Sequence, residues 1–523
     1  MGKLTMGKKR ARGNCISFCL LAVIGCSLFV GCGSGRSSFS PNKKYSPQQL
    51  QKDYSIYREV LEEAHPGLYW YTSKDSINYY FDRGGEKLKD SMTEPEFRKV
   101  LTYVTSKVDC GHTSVRNSKA YSKYMDTVAL WRIFPLSMKI WGGYGGEDTM
   151  VVAVNLNRKD SVLSRGTIIT KINGKTTKQI IDTLFNYIST DGYNETHKFQ
   201  TLSNRGYFGS LYSYIFGYSS RYTIEYKESD GQLKTVSIPI YYPALDTATR
   251  ATIIPVTHIP QPSRKERKER RLNSVRLLKI DTASHTAFMD LETFGRGYKL
   301  KTFFKRSFKA LKTHHINDFI IDVRGNGGGS VTNSTNLSRY LATDRFKVSD
   351  SLYAITKRKK YSRYIQNDFL NRLFLTFFTK KRHDGYYHFK YFEKHYFKPK
   401  KKNHFDGNTY ILTGGNSFSA TTLFISSIIH QDNVTVVGEE TGGGAYGNTA
   451  WLIPDVTLPE TGIRFRLPLF RLVMDKNNIK NGRGVQPEME VKPTIEAIRR
   501  GDDYKLNKVM ELIKKEKEKS NVH

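Results

Sequence analysis

The sequence predicts a mixed α+β protein in three blocks, and three observations carry that prediction. A helix-period segment opens residues 41–118, a strand-rich stretch fills residues 130–245, and strands alternate with helices over residues 276–495. The 523 residues give ample chain for more than one core, and 38% apolar content with 33 Tyr and 29 Phe excludes wholesale disorder. The charge is lopsided: 83 Lys and Arg against 49 Asp and Glu leave +34, a surface that meets anions favourably.

The N-terminus bears on the compartment. Lys8, Lys9, Arg10 and Arg12 precede an uncharged apolar run from Ile16 to Val30, which is the layout of an export signal. At about fifteen residues the run falls short of the ~20 that a spanning helix needs. It ends at Gly31-Cys32 and is followed by Gly33-Ser34-Gly35-Arg36-Ser37-Ser38. That order resembles a bacterial lipobox and its flexible tether. The resemblance implies a signal peptide over residues 1–31, lipidation of Cys32, and a lipid-anchored place in the cell envelope of a bacterium, on the periplasmic or surface face. Cys26 after Gly25 is the second candidate. Of the five Cys only Cys110 would then stay free, so no disulfide is expected; no Cys-x-x-Cys metal knuckle exists either. Neither a metal nor a cofactor is expected.

Within residues 41–118, Tyr54, Tyr57, Val60, Leu61 and Ala64 recur at three- and four-residue steps and predict a helix stopped by His65-Pro66-Gly67. A second helix from about Glu94 to Lys107 leads into Val108-Asp109-Cys110-Gly111-His112-Thr113, where the Gly marks a turn that presents His112. In the block 130–245, Ser164 to Lys175 reads as a strand and an Asn173-Gly174 turn, followed by a helix carrying Ile180, Ile181 and Leu184. This stretch resembles the signature of a PDZ domain, which implies a module that takes up peptide ends as an added strand. Residues 246–275, with Pro255, Pro260, Pro262 and the charge run Arg264 to Arg271, read as a basic linker, and 496–523 as a charged tail. An insert at 353–405 holds about fifteen Lys or Arg, about three acids and about fifteen aromatic residues. Its two readings are a surface lid and a patch for anionic lipid or other anionic envelope polymers. Nucleic acid is not an expected partner of an exported chain.

The chemistry-bearing residues sit in the third block. The apolar run Phe319-Ile320-Ile321-Asp322-Val323 ends in Arg324-Gly325-Asn326-Gly327-Gly328-Gly329-Ser330, a Gly cluster that lets backbone N–H groups approach a ligand. A second strand, Thr409 to Thr413, leads through Gly414-Gly415-Asn416 to Ser417-Phe418-Ser419-Ala420, so Ser419 falls at the start of a helix predicted to reach about His430. The strand Val434 to Val437 and the run Gly438-Glu439-Glu440-Thr441-Gly442-Gly443-Gly444 follow. A helix N-terminus stabilises the negative charge of a tetrahedral oxyanion.

Taken in order, Gly-His-Thr, the PDZ-like stretch, Arg-Gly-Asn-Gly-Gly-Gly, Phe-Ser-Ala, Gly-Glu-Glu-Thr-Gly-Gly-Gly and Gly484-Val485-Gln486-Pro487 resemble the tail-specific (C-terminal processing) serine peptidase family over roughly residues 95–495. The resemblance implies a crotonase-like layered α/β catalytic core beside the PDZ-like module and the N-terminal helical region, with a peptide or protein as substrate. It implies Ser419 as nucleophile, with Ser417 the competitor, and an oxyanion held by N–H groups of Gly327 or Gly328 and Ala420. The Lys of the best-known branch falls on Gly444 here, a Gly expected to hold a backbone angle closed to side chains. The chain therefore resembles the tricorn-core and retinoid-binding-protein-like branch, which implies His112 as general base and a rising pH limb near 6–7. That branch also has a late acid, for which Glu440 and Asp475 fit by type. The reading is an exported, lipid-anchored serine peptidase. An inactive peptidase-like peptide-binding lipoprotein and an anion-binding envelope protein stay open as alternatives.

Overall fold

Helix α1 (Pro47–Ala64) starts where the sequence gives it a complete cap. Ser46 and Gln49 close a capping box, Pro47 sits in the first turn, and Leu50, Tyr54, Tyr57, Val60, Leu61 and Ala64 form its buried face. A computed structural model describes residues 39–127, 132–143, 146–158, 162–243 and 262–520 of the chain; the expected signal segment and Cys32 lie outside them. Helix α2 (Lys74–Gly85) was not foreseen, because only Ile77, Phe81 and Gly84 of its twelve residues are buried. Helix α3 (Glu94–Ser106) carries a second capping box, on Thr93 and Glu96.

The next block is an antiparallel sheet with helices against it. Strands β1 (Leu136–Gly143), β2 (Gly146–Asn155) and β3 (Ile168–Ile172) are followed by α4 (Thr177–Phe185), α5 (Glu195–Ser203), α6 (Tyr207–Phe216), β4 (Arg221–Lys227) and β5 (Leu233–Pro239), and the five strands lie side by side in chain order. The Asn173-Gly174 turn has φ of 49° and 78°, which suits Asn and Gly. The basic run after the described gap is a solvated helix, Arg264–Asn273, in which only Leu272 is buried.

The third block runs β6 (Arg276–Asp281), β7 (Thr286–Leu291), α7 (Leu300–Thr313), β8 (Asp318–Asp322), α8 (Val331–Leu341), β9 (Ser351–Ala354), α9 (Asp368–Phe378), β10 (Asn408–Thr413), α10 (Ala420–Ser426), β11 (Val434–Gly438), β12 (Gly447–Ala450), β13 (Phe470–Val473), β14 (Met489–Glu490) and α11 (Tyr504–Ser520). Six strands form one sheet in the order β6-β7-β8-β10-β11-β14, parallel from β7 onwards. Successive residues of a strand point to opposite faces, and here both faces are covered. Phe319, Ile321, Ile411, Val434 and Val436 pack with Phe304, Phe308, Leu337 and Phe424 of helices on one side. Ile320, Tyr410, Leu412 and Val437 pack with Val509 and Ile513 of α11 on the other. The result is a layered α/β core. Helix α10 is shorter than the predicted one: it ends at Ser426, and the chain turns through Ser427 to His430.

A second, antiparallel sheet contains β9, β13 and β12 with strands from the insert. Its Leu352, Phe470 and Leu472 share a core with Tyr57, Val60 and Leu61 of α1. The Asp53 carboxylate, fully buried, accepts from Glu460 N–H, Thr461 N–H and the Thr461 hydroxyl at 3.0, 2.8 and 2.7 Å. Val115–Arg116 pair with Arg464–Phe465, so the N-terminal helical region is bound into the third block.

Candidate active site

Ser419 holds a backbone conformation that an L side chain rarely adopts, φ 58° and ψ −120°, at the position before α10. A non-Gly residue there costs on the order of 1–3 kcal/mol and persists only where its surroundings impose it. Asn326 imposes it. This fully buried side chain donates to Leu291 O at 2.8 Å and accepts from Thr421 Oγ1 at 2.8 Å, while its carbonyl accepts from Phe418 N–H at 3.1 Å. The Gly cluster then closes against the serine. Gly328, at φ 96°, lies so near that a Cβ would stand 2.6 Å from Phe418 O and 2.8 Å from Ser419 Cβ.

The two serines are separated by what they bond. Ser417 is fully buried, donates to Val323 O at 2.8 Å and accepts from Gly414 N–H at 3.2 Å, which makes it a fastener of the loop. Ser419 is half-buried and lines a cavity of about 510 Å³ with Gly329, Phe392, Leu423, Asn448, Trp451 and other residues.

His112, more than three hundred positions earlier in the chain, packs on the residue that precedes Ser419. Its ring stands 5.0 Å from that of Phe418, and His197 flanks Phe418 at the same distance. Gly111 makes this possible, since a Cβ there would meet the Phe418 ring at 2.4 Å. Neither ring nitrogen of His112 has a hydrogen-bond partner among the described residues, although the side chain is buried. The nearest carboxylate is Asp191, whose Oδ1 lies 4.0 Å from His112 Nδ1. Asp191 is itself buried and accepts from Gly111 N–H at 2.8 Å and Gly444 N–H at 3.4 Å. Burial pushes the Asp191 carboxyl up to about 7. Burial, then Arg466 and His197, push the His112 imidazole down to about 3.

Asp191 was missed because nothing marks it in the sequence but an Asp-Gly turn before a helix. The two acids singled out by type sit elsewhere. Glu440 is buried and engaged by Arg483 at 2.9 and 2.8 Å, by Gly484 N–H at 2.7 Å and by Thr196 Oγ1 at 3.0 Å. Asp475 accepts from Asn477 N–H in a turn and borders a different cavity. Two further expectations need correction. The Gly328 N–H already donates to Asn326 Oδ1 at 3.0 Å, which leaves Gly327 and Ala420 from the expected oxyanion set. Gly444 is absent from the residues with positive φ; what it requires is a close approach, because a Cβ would stand 2.7 Å from Gly447 O.

Residues 285–491 match peptidase family S41. This stretch is an S41 serine peptidase domain. Of solved structures, mature CPAF is similar at TM-score 0.58 with 15% identity, over 87% of this chain and 94% of that one. Mature CPAF complexed with lactacystin gives 0.59 and 15%, over 89% and 98%. A photosystem II D1 C-terminal processing protease gives 0.39 and 13%, over 87% and 98%. No curated protein matches the chain. The S41 domain contains Ser419, the Gly cluster and the cavity, whereas His112 and Asp191 precede it. No group of His, Cys, Asp and Glu among the described residues is arranged to hold a metal ion.

Proposed function

We propose that the chain is an exported, lipid-anchored serine peptidase in which Ser419 attacks a peptide carbonyl and His112 takes its proton. The observation that carries this reading is Ser419 itself, held strained at a helix start, opening on a cavity and packed beside a loop that bears an unbonded histidine. His112 then returns the proton to the amine as the peptide C–N bond breaks, and in the second half takes a proton from the water that attacks the acyl-enzyme and gives it back to Ser419 Oγ as the ester bond breaks, which frees the acid product. In this reading Asp191, 4.0 Å from His112 Nδ1, takes the part of the stabilising acid in place of Glu440 or Asp475. The oxyanion would be met by the N–H of Ala420 and that of Gly327 or Gly329, none of which donates to another group among the described residues. The cavity lining of Leu423, Ala450, Trp451, Leu452 and Leu472 favours an apolar side chain beside the scissile bond.

The antiparallel sheet with α4 behind the Asn173-Gly174 turn supports the PDZ-like reading, under which the substrate enters by a free chain end. Peptides with a free C-terminal carboxylate should then be cleaved faster than the same peptides capped as amides, and equal rates would remove that part. A fluorophosphonate probe should label the protein at Ser419 and at no other residue. A second reading, a peptide-binding lipoprotein without turnover, draws on the unclosed 4.0 Å gap between His112 and Asp191; absence of labelling together with retained peptide binding would favour it. Replacing Cys32 by Ser should release the chain from membranes, and unchanged fractionation would remove the anchor from the proposal.

A further inference from the structure

We infer that helix α9 docks the protein on an anionic lipid bilayer through its outward apolar face. The helix reads Asp368-Phe369-Leu370-Asn371-Arg372-Leu373-Phe374-Leu375-Thr376-Phe377-Phe378. Five of its large apolar side chains stand in solvent: Phe369 is 62% exposed, Leu370 60%, Leu373 37%, Phe377 76% and Phe378 57%. Residues 369, 373 and 377 fall at four-residue steps, and 370 joins 377 at seven, so they make one stripe along the helix. A stripe of this kind on a single element is not the scattered exposure usual for a surface.

The helix is mounted firmly, which rules out reading the stripe as a frayed segment. Leu375 is buried, and the Phe374 ring packs on Phe389 and Phe470 at 5.3 and 6.3 Å. At its start a buried ion pair joins Asp368 Oδ1 to Lys359 Nζ at 2.9 Å.

Charge identifies the occupant. Arg372, Lys380, Lys381, Lys390 and Lys394 are exposed on and around the helix. The acids of the insert offer little to oppose them: Asp368 and Glu393 are buried and paired, and Asp384 is hydrogen-bonded to His388 at 2.8 Å. An apolar stripe rimmed by cations complements a surface that presents anions above hydrocarbon, which is the interface of an anionic bilayer. Eleven residues span only about 16 Å, against ~30 Å of hydrocarbon, so the helix lies in the interface and does not cross it. Phe378, Phe389, Phe392 and Trp451 form a contiguous aromatic run at 6.2, 5.3 and 4.5 Å. Phe392 and Trp451 line the Ser419 cavity. A continuous run of ring contacts thus joins the stripe to the cavity wall.

The test uses the full-length chain with a reporter on the stripe, because emission there depends on where the stripe itself sits and not on whether an N-terminal lipid anchor holds the protein to the vesicle. Emission of the tryptophan in Phe377→Trp, taken as the difference from wild type, should shift to the blue with phosphatidylcholine vesicles containing phosphatidylglycerol. Brominated lipid should quench it. High salt and the pair Lys380→Glu with Lys381→Glu should weaken the shift, while hydrolysis of a soluble peptide stays unchanged. No shift with anionic vesicles would overturn the inference. An equal shift on pure phosphatidylcholine that charge reversal leaves alone would overturn the anionic part. A blue-shifted emission without lipid, with sedimentation showing a dimer that Phe369→Ser with Phe377→Ser dissolves, would assign the face to a second copy of the chain.

Discussion

Asp191 and His112 set the expected pH behaviour of Ser419. With the imidazole pushed down to about 3 and the carboxyl up to about 7, the pair loses its last proton near 7, and that proton comes from Asp191. On the proposed route the imidazole would therefore accept the serine proton beside an ionised Asp191 only above that pH. The rising limb of kcat/KM should stand near pH 7, and Asp191→Asn should move it several units down while lowering the plateau. A limb that stays near 7 in Asp191→Asn would remove the acid from the site. Ser419→Ala should lose turnover by about 10⁶-fold, as in a comparable hydrolase, at unchanged melting temperature. Ser417→Ala should instead lower the melting temperature, since Val323 O and Gly414 N–H lose their buried partner. Ser419 and His112 were legible because each sits next to a Gly or in a short tripeptide that only a special turn explains. Asp191 was not, because its role arises where the chain folds its turn against Gly111 and Gly444, a contact with no local signature.

At the scale of elements, the Gly cluster after β8 acts as a clamp on the loop before α10. Gly328→Ala should cut the rate of labelling by a serine probe by at least 10-fold, because a Cβ would force Ser419 and Phe418 away from their places. Circular dichroism of the fold should change little; equal labelling rates would show that the clamp has slack. The parallel strands were readable as uninterrupted apolar runs, since helices cover both faces of the sheet and alternation has no room to show. Helix α2 was lost for the opposite reason, having too few buried residues for a period to emerge. The apolar stripe of α9 hid within an insert whose composition reads first as charge.

The whole molecule buries several histidines in neutral form. His112 and His65 both stand near 3 in the folded chain, against an ordinary 6.5, with burial the main cause. Between those values the unfolded chain binds more protons at these two histidines, so their contribution to stability falls as pH drops from about 6.5 towards 3, while the Asp191 carboxyl, pushed up by burial to about 7, contributes with the opposite sign below that pH. The histidine part is read by comparison: between about pH 6.5 and 4 the melting temperature of His112→Phe should gain on that of the wild-type chain, and an unchanged difference would mean that the imidazole is hydrated in solution. The three blocks were visible as composition, yet their closure was not, because the pairings that close them join residues hundreds of positions apart. The short strand Val115–Arg116 waits for Arg464–Phe465, and Asp53 waits for Thr461. A ribosome that has finished the helix after Ser419 has therefore not yet made the segment that fastens the histidine-bearing end of the chain. On the proposed reading, a chain cut short of that segment would hold both Ser419 and His112 yet lack the pairing that seats the loop after His112, so truncation before Arg464 should silence it without touching either residue.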